Sequence, residues 1–237
     1  MIQPGNYPKY VGQALVLEPD PFVALADDDN PWVEGLFFTV MIGVLVGFAK
    51  FVGSWLLTAS LPAPAAVLEV LIHGIANSGL LAQAADPIAA ESSLRQILSM
   101  LFTQQGFGSG WVKLLALILV PLSYLLQWLY FGLAGHGIAR LMGGTGQLGQ
   151  TLGAVSLMAV PRILLVAAIL PFVSIGATLP LVWSLLIVYR ALEISHGLSW
   201  QRAALSTVIL TLGFGFLMLL AGGAVALSLP LFLGGGA

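Results

Sequence analysis

The sequence contains no cysteine among its 237 residues. This absence excludes disulfides, cysteine nucleophiles, zinc fingers and cysteine-held iron–sulfur clusters. Charged residues are scarce as well, at 8% of the chain, whereas soluble domains carry about 25%. Because so few charges cannot cover a surface that faces water on all sides, we expect the chain to lie in a lipid bilayer.

The few charges that are present nearly cancel. Eight Lys and Arg against ten Asp and Glu give a net charge of -2. Nucleic-acid binding requires a basic surface, so no nucleic-acid partner is expected.

Long apolar segments account for most of the chain. A helix needs about 20 mainly apolar residues to cross a hydrocarbon core roughly 30 Å thick. Five segments meet this requirement: 35–59, 111–142, 151–172, 175–194 and 203–229. We therefore predict an all-α polytopic membrane protein, with one five-span domain over residues 35–237 and a very short turn around Pro171.

A polar, proline-rich segment precedes these spans. Residues 1–34 contain five prolines and a row of three aspartates, Asp27 to Asp29. Because proline disfavours helical backbone in the residue before it, we expect a partly extended cytoplasmic lead-in.

The distribution of Lys and Arg predicts the orientation. One face collects Lys9, Arg140, Arg190 and Arg202, and the other collects Arg95 and Lys113. Basic residues accumulate on the cytoplasmic side. This pattern favours a cytoplasmic N-terminus and, with five spans, a C-terminus outside.

The long connection over residues 61–110 does not resemble a sixth span. Residues 66–82 are apolar but interrupted by polar side chains, and a re-entrant dip into the membrane is the open alternative. After them, Asp86 and Pro87 are typical of a helix start. Apolar residues then recur at helical spacing from Leu94 to Phe102, which predicts an amphipathic helix in the headgroup plane.

Two basic residues, Lys50 and Arg162, lie well inside the predicted spans rather than near their ends. Lys50 is expected to extend toward the headgroups beside Trp55. Arg162 follows Pro161 and leaves two alternatives open. Either it lies at mid-membrane, where it can bind the carbonyl that Pro161 frees or Glu193, or the helix starts late and Arg162 lies near the cytoplasmic surface.

A polar cluster is predicted at the end of the fourth span. Arg190 and Glu193 are three residues apart, which allows an ion pair on one helix face, and His196 follows. We interpret these residues, with Arg162, as a structural or functional polar cluster.

His136 has glycines on both sides. A flat ring such as a chlorophyll-type pigment needs such a gap at its ligand, so His136 is the candidate cofactor-binding residue. The alternative is that these glycines only let two helices approach closely. No metal site and no catalytic residues are predicted.

Glycine spacing indicates close helix packing. Two pairs have the small-xxx-small spacing of membrane helix contacts: Gly43 with Gly47, and Gly149 with Gly153. Residues 144–149 also fit G-x-G-x-x-G, but a dinucleotide site requires a strand before it. We interpret this motif as a flexible turn.

Four short strings resemble the Yip-domain family of five-span membrane proteins, which is named for interaction with Ypt/Rab GTPases. They are residues 17–22 (LEPDPF), 142–148 (MGGTGQL), 159–161 (AVP) and 189–203 (YRALEISHGLSWQRA). The short lead-in is similar to that of the family's prokaryotic branch, which implies a prokaryotic cell membrane. The resemblance implies the family's fold and topology.

These observations favour a non-enzymatic integral membrane protein. It would organise the membrane or bind other membrane proteins, its own copies included, and need no cofactor. The first alternative is an accessory subunit of a photosynthetic or respiratory complex that holds a pigment, quinone or lipid. The second is a small transporter.

Overall fold

The computed structural model describes residues 4–84, 86–104 and 110–233. Within these ranges the chain forms nine α-helices and three 3₁₀ segments, without strands. The α-helices are α1 (Tyr7–Leu15), α2 (Asp20–Ala26), α3 (Pro31–Ser60), α4 (Pro64–Asn77), α5 (Pro87–Gln104), α6 (Gly110–Leu141), α7 (Leu148–Val155), α8 (Thr178–His196) and α9 (Trp200–Leu233). The 3₁₀ segments are Pro4–Asn6, Leu81–Gln83 and Ser156–Ile169. The predicted membrane domain extends to residue 237, but its last four residues, 234–237, lie outside the described residues.

Five helical segments in the described chain are long and apolar enough to cross a membrane, as predicted. They are Pro31–Ser60, Lys113–Leu141, Leu148–Ile169, Thr178–His196 and Trp200–Gly223. Large apolar side chains are exposed along them, among them Phe48, Ile118 and Leu219, as expected of a surface that faces lipid. The very short turn expected around Pro171 is wrong, because residues 170–177 separate the third and fourth spans.

The third span changes helix type partway along. It begins as α7 and continues as a 3₁₀ helix from Ser156 to Ile169, with Pro161 inside it. In α geometry the proline ring would meet the carbonyl of Leu157, which gives a reason for the change. The helix begins at Leu148, so it does not start late, and Arg162 lies in the second half of the span. That Arg162 lies at mid-membrane stays a prediction.

The lead-in is helical, and the expectation of extended backbone is wrong for most of it. Helices α1 and α2 each carry a proline in their first turn, where a missing N–H costs nothing. Phe22 and Leu25 of α2 are fully buried. These residues therefore form part of the packed core rather than a solvated leader.

The chain divides into two compact units. The first unit contains Met1–Met41, Tyr124–Pro161 and Thr178–Ala237, and the second contains Ile42–Ser123 and Arg162–Ala177. The single membrane domain over 35–237 stays an expectation.

In the first unit, side-chain donors bind backbone carbonyls across helices. Trp128 Nε1 donates to the carbonyl of Leu152 at 2.8 Å, and Ser184 donates to that of Met158 at 2.7 Å. Trp183 Nε1 donates to the carbonyl of Leu15 in the lead-in at 2.9 Å. These bonds join α1, α6, the third span and α8.

A buried carboxylate marks the start of the first span. Glu34 is 3% exposed and lies in the first turn of α3, where the helix dipole favours negative charge. The Tyr7 hydroxyl donates a hydrogen bond to it. Burial, and then the Glu34 carboxylate, raise the pKa of Tyr7 well above its usual value, so the phenol keeps the proton that it donates.

In the second unit, α3 lies directly against α6. A methyl group at Gly43 would be 2.8 Å from Cα of Pro121, and one at Gly47 would be 3.0 Å from the carbonyl oxygen of Ala116. Only glycine permits this approach of the two backbones.

The predicted helix in the long connection is present as α5. The carboxylate of Asp86 accepts from the backbone N–H groups of Ile88 and Ala89 at 3.0 and 3.1 Å, which confirms the predicted start. Arg95 of α5 pairs with Glu91 and with Glu69 of α4. The hydrogen bond from Arg95 lowers the pKa of Glu69. Whether α5 lies in the headgroup plane stays a prediction.

Two glycines of α7, Gly149 and Gly153, provide a test of the contact between α7 and α2 in the first unit. Gly153→Ala places a methyl group 2.5 Å from the carbonyl oxygen of Leu25, and we expect it to destabilise the fold by about 1–3 kcal/mol. Gly149→Ala is the matched control, since no atom lies within 4 Å of its added methyl and alanine favours helix. Thermal unfolding in detergent measures both. Equal melting temperatures for the two variants would contradict the contact.

Candidate functional site

Two histidines and a threonine meet at one end of the first unit. His136 comes from the last turns of α6, Thr151 from the start of α7, and His196 ends α8. Thr151 Oγ1 lies 3.2 Å from His136 Nδ1 and 2.8 Å from His196 Nε2, and the ring centroids are 5.1 Å apart. We call these three residues the histidine cluster.

The hydroxyl of Thr151 assigns the protons in this cluster. It donates its single hydrogen to the carbonyl of Gln147 at 3.0 Å, because a carbonyl can only accept. Both imidazoles must then donate to the threonine oxygen. His136 therefore carries its proton on Nδ1 and His196 carries one on Nε2.

The other ring nitrogen of His196 has no partner. His196 is 1% exposed, and its Nδ1 makes no hydrogen bond within the described chain. With Nε2–H assigned, Nδ1 holds a lone pair in a dry environment, which costs free energy. Buried polar groups without a partner are rare in folded proteins, and an exception of this kind points to strain or to a functional role.

The glycine turn, residues 143–146, packs against this nitrogen. A methyl group at Gly144 would lie 2.8 Å from His196 Nδ1, and one at Gly146 would collide with the carbonyl of Ser195. Gly143 has a φ of 91°, which favours glycine. The turn thus lies closely against the end of α8, and its expected flexibility stays a prediction.

Two further bonds join the loops that flank the cluster. The backbone N–H of Thr145 donates to the carbonyl of His196 at 3.1 Å, and Arg202 donates to the carbonyl of Met142 at 3.1 Å. The ends of α6 and α8 and the starts of α7 and α9 are thus held together. Chemically, the site is a polar junction whose two histidines share one acceptor.

The remaining residues of the predicted polar cluster have different surroundings. Arg190 donates to Glu193 in the predicted ion pair on α8. Arg162 belongs to the second unit and is buried. Gly43, Gly47 and Gly153 lie against other backbone atoms, whereas Gly149 has open space around it.

His136 is partly engaged within the protein. Its Nδ1 bonds Thr151 and its ring lies beside His196. Binding of a pigment or quinone at this residue stays a proposal.

Thr151 is the residue that sequence reasoning missed. It stands at the predicted start of the third span, where a lone threonine is unremarkable. A signal was available in its position four residues after Gln147, which lets its hydroxyl reach that carbonyl, but nothing local reveals the two histidines.

Removal of the shared hydroxyl tests the cluster. In Thr151→Val, two imidazole N–H groups lose their acceptor, and we expect a loss of about 1–3 kcal/mol. Thr151→Ser keeps the hydroxyl and should retain most of the stability. Thr207→Val is the matched control, because that hydroxyl bonds only to Ala203 of its own helix. Unfolding in detergent is the measurement, and equal losses at both threonines would refute a special role for Thr151.

Comparison with known protein families identifies the family of this chain. The model of the Yip1 domain matches residues 14–222, a range that includes α2, the glycine turn and the histidine cluster. No curated protein and no solved structure matches the chain. Since the match covers most of the chain, the protein belongs to the Yip1 domain family.

Proposed function

We propose that this member of the Yip1 domain family is a non-enzymatic membrane protein that binds other membrane proteins, its own copies included, through its transmembrane helices. The observation that carries the proposal is an apolar groove of about 460 Å³ between α8 and α9 of the first unit. Its walls include Val182, Leu186, Val208 and Leu212.

The two threonine hydroxyls in this groove already donate hydrogen bonds within their own helix. Thr207 and Thr211 donate to the carbonyls of Ala203 and Thr207 at 3.0 and 2.7 Å. The groove therefore offers apolar surface without a demand for hydrogen bonds, which fits an apolar helix better than a polar ligand.

Small residues continue along the same face of α9. Ala204, Val208, Thr211 and Gly215 are three or four residues apart and so share one side of the helix. Val208 is 53% exposed, and open space surrounds Gly215. A face of this kind lets a second helix approach closely within a bilayer, where packing drives association.

We also propose a cytoplasmic N-terminus in a prokaryotic cell membrane. The excess of Lys and Arg on that side supports this orientation. The histidine cluster and glycine turn would then face the cytoplasm, at the end of the bundle that carries the N-terminus.

Site-specific cross-linking tests the groove. Because the native sequence contains no cysteine, an introduced cysteine is the only thiol of the protein that the reagent can label. We expect Val208→Cys, labelled with a benzophenone maleimide in the native membrane, to give an adduct with another membrane protein or with a second copy. Leu133→Cys on α6, whose native side chain is similarly exposed at 51%, is the control and should give none. Adducts at neither position, or equally at both, would refute the proposal.

Accessibility of single cysteines tests the orientation. Ser78→Cys and Ser199→Cys are conservative changes at exposed loop positions. In intact cells we expect an impermeant maleimide to label Ser78→Cys, and to label Ser199→Cys only after the membrane is opened. The reverse pattern would place the N-terminus outside.

A further inference from the structure

The second unit contains a cavity of about 1140 Å³. Side chains from α3, α5, α6 and the 165–177 segment line it, and most of them are apolar. Its volume is slightly larger than the roughly 300–1,000 Å³ that is usual for small-molecule sites, so it has room for an extended hydrocarbon chain.

One charged side chain lines this cavity among the described residues, that of Lys50. The hydroxyls of Ser54 and Ser99, which also line it, donate to the carbonyls of Phe51 and Gln96 at 2.7 and 2.8 Å. The cavity therefore combines a long apolar wall with a single ammonium group and the hydroxyls of three serines, the third being Ser174.

No carboxylate of the second unit neutralises Lys50. The unit has three acidic residues, and each has another partner: Glu69 and Glu91 pair with Arg95, and Asp86 caps α5. Lys50 itself makes no ion pair within the described chain. A cation at membrane depth without a counter-ion is costly, and an anionic ligand would remove that cost.

The position of Lys50 along α3 fits a lipid headgroup. It precedes the end of α3 at Ser60 by ten residues, which is about 15 Å of helix, and a lysine side chain reaches several ångström further toward the surface. Trp55, one to two turns beyond, is 51% exposed, as is usual for tryptophan at the membrane interface. The ammonium can thus extend toward interfacial phosphate, while Leu119 and Leu165 form part of the apolar wall of the cavity.

We propose that this cavity binds an anionic phospholipid, with its phosphate at Lys50 and an acyl chain along the apolar wall. A zwitterionic phospholipid carries its own positive charge and gains less from Lys50. A neutral quinone can accept a hydrogen bond from the ammonium through a carbonyl oxygen, but it brings no negative charge to neutralise it. This site is separate from the groove of the first unit and does not depend on the proposed function.

Native mass spectrometry of the purified full-length protein in detergent tests the proposal. Phosphatidylglycerol and phosphatidylcholine with identical acyl chains are added separately, and the retained lipid is counted. We expect the wild type to retain phosphatidylglycerol about fivefold better, the selectivity typical of one lysine at an anionic headgroup. Lys50→Met should abolish this preference and Lys50→Arg should keep it. Lys9→Met is the matched control for loss of one lysine and should behave as wild type.

A cavity variant separates the acyl site from the charge. Leu119→Trp fills part of the cavity at an exposed position, and we expect it to lower retention of both lipids. Equal retention of the two lipids by wild type, or full preference in Lys50→Met, would overturn the proposal. So would Lys50-dependent retention of oleate without phosphatidylglycerol, which would identify a free fatty acid as the occupant.

Discussion

In a bilayer, the hydrogen bonds of the backbone must be made within the protein, because lipid offers no partner for an N–H or a carbonyl. The third span is where this constraint is most visible. Pro161 removes one donor, and the helix passes from α to 3₁₀ geometry around it. Neighbouring helices of the first unit then supply donors to its carbonyls, through Trp128 to Leu152 and Ser184 to Met158. The span is therefore stabilised by these side chains as well as by the hydrogen bonds of its own helical backbone.

The same span begins at the histidine cluster. There, one side chain both satisfies a backbone carbonyl and holds the candidate site together. Thr151 uses its proton on the carbonyl of Gln147 and accepts from both histidines. Its three contacts exhaust the capacity of one hydroxyl, so neither histidine can change tautomer without breaking a bond to Thr151. The lone pair of His196 Nδ1 is the remaining uncompensated group. Gly144 packs closely against that nitrogen, which therefore stays buried without a hydrogen-bond partner in the described chain.

The sequence was sufficient for features that depend on composition and local chemistry. Apolar length located all five spans, and Asp86 with Pro87 located the start of α5. The sequence was insufficient for features that depend on contacts between segments distant in the chain. The prolines of the lead-in indicated extended backbone, yet burial of Phe22 and Leu25 stabilises helices that begin at those prolines. Arg190 and Glu193 were paired from their spacing, whereas the bond between Thr151 and His196 joins positions 45 residues apart, which no local pattern encodes.

Glycine illustrates why motif spacing alone could not separate packing sites from open ones. Gly149 and Gly153 have the same spacing as Gly43 and Gly47, but a methyl group at Gly149 would meet nothing, whereas one at Gly153 would meet the lead-in. The partner of Gly153 is helix α2, which sequence reasoning had placed in solvent. A glycine with an internal partner fixes the fold, and one without, such as Gly215 on α9, leaves room for another helix. The distinction between the fold and the proposed binding surface therefore lies in what each glycine faces.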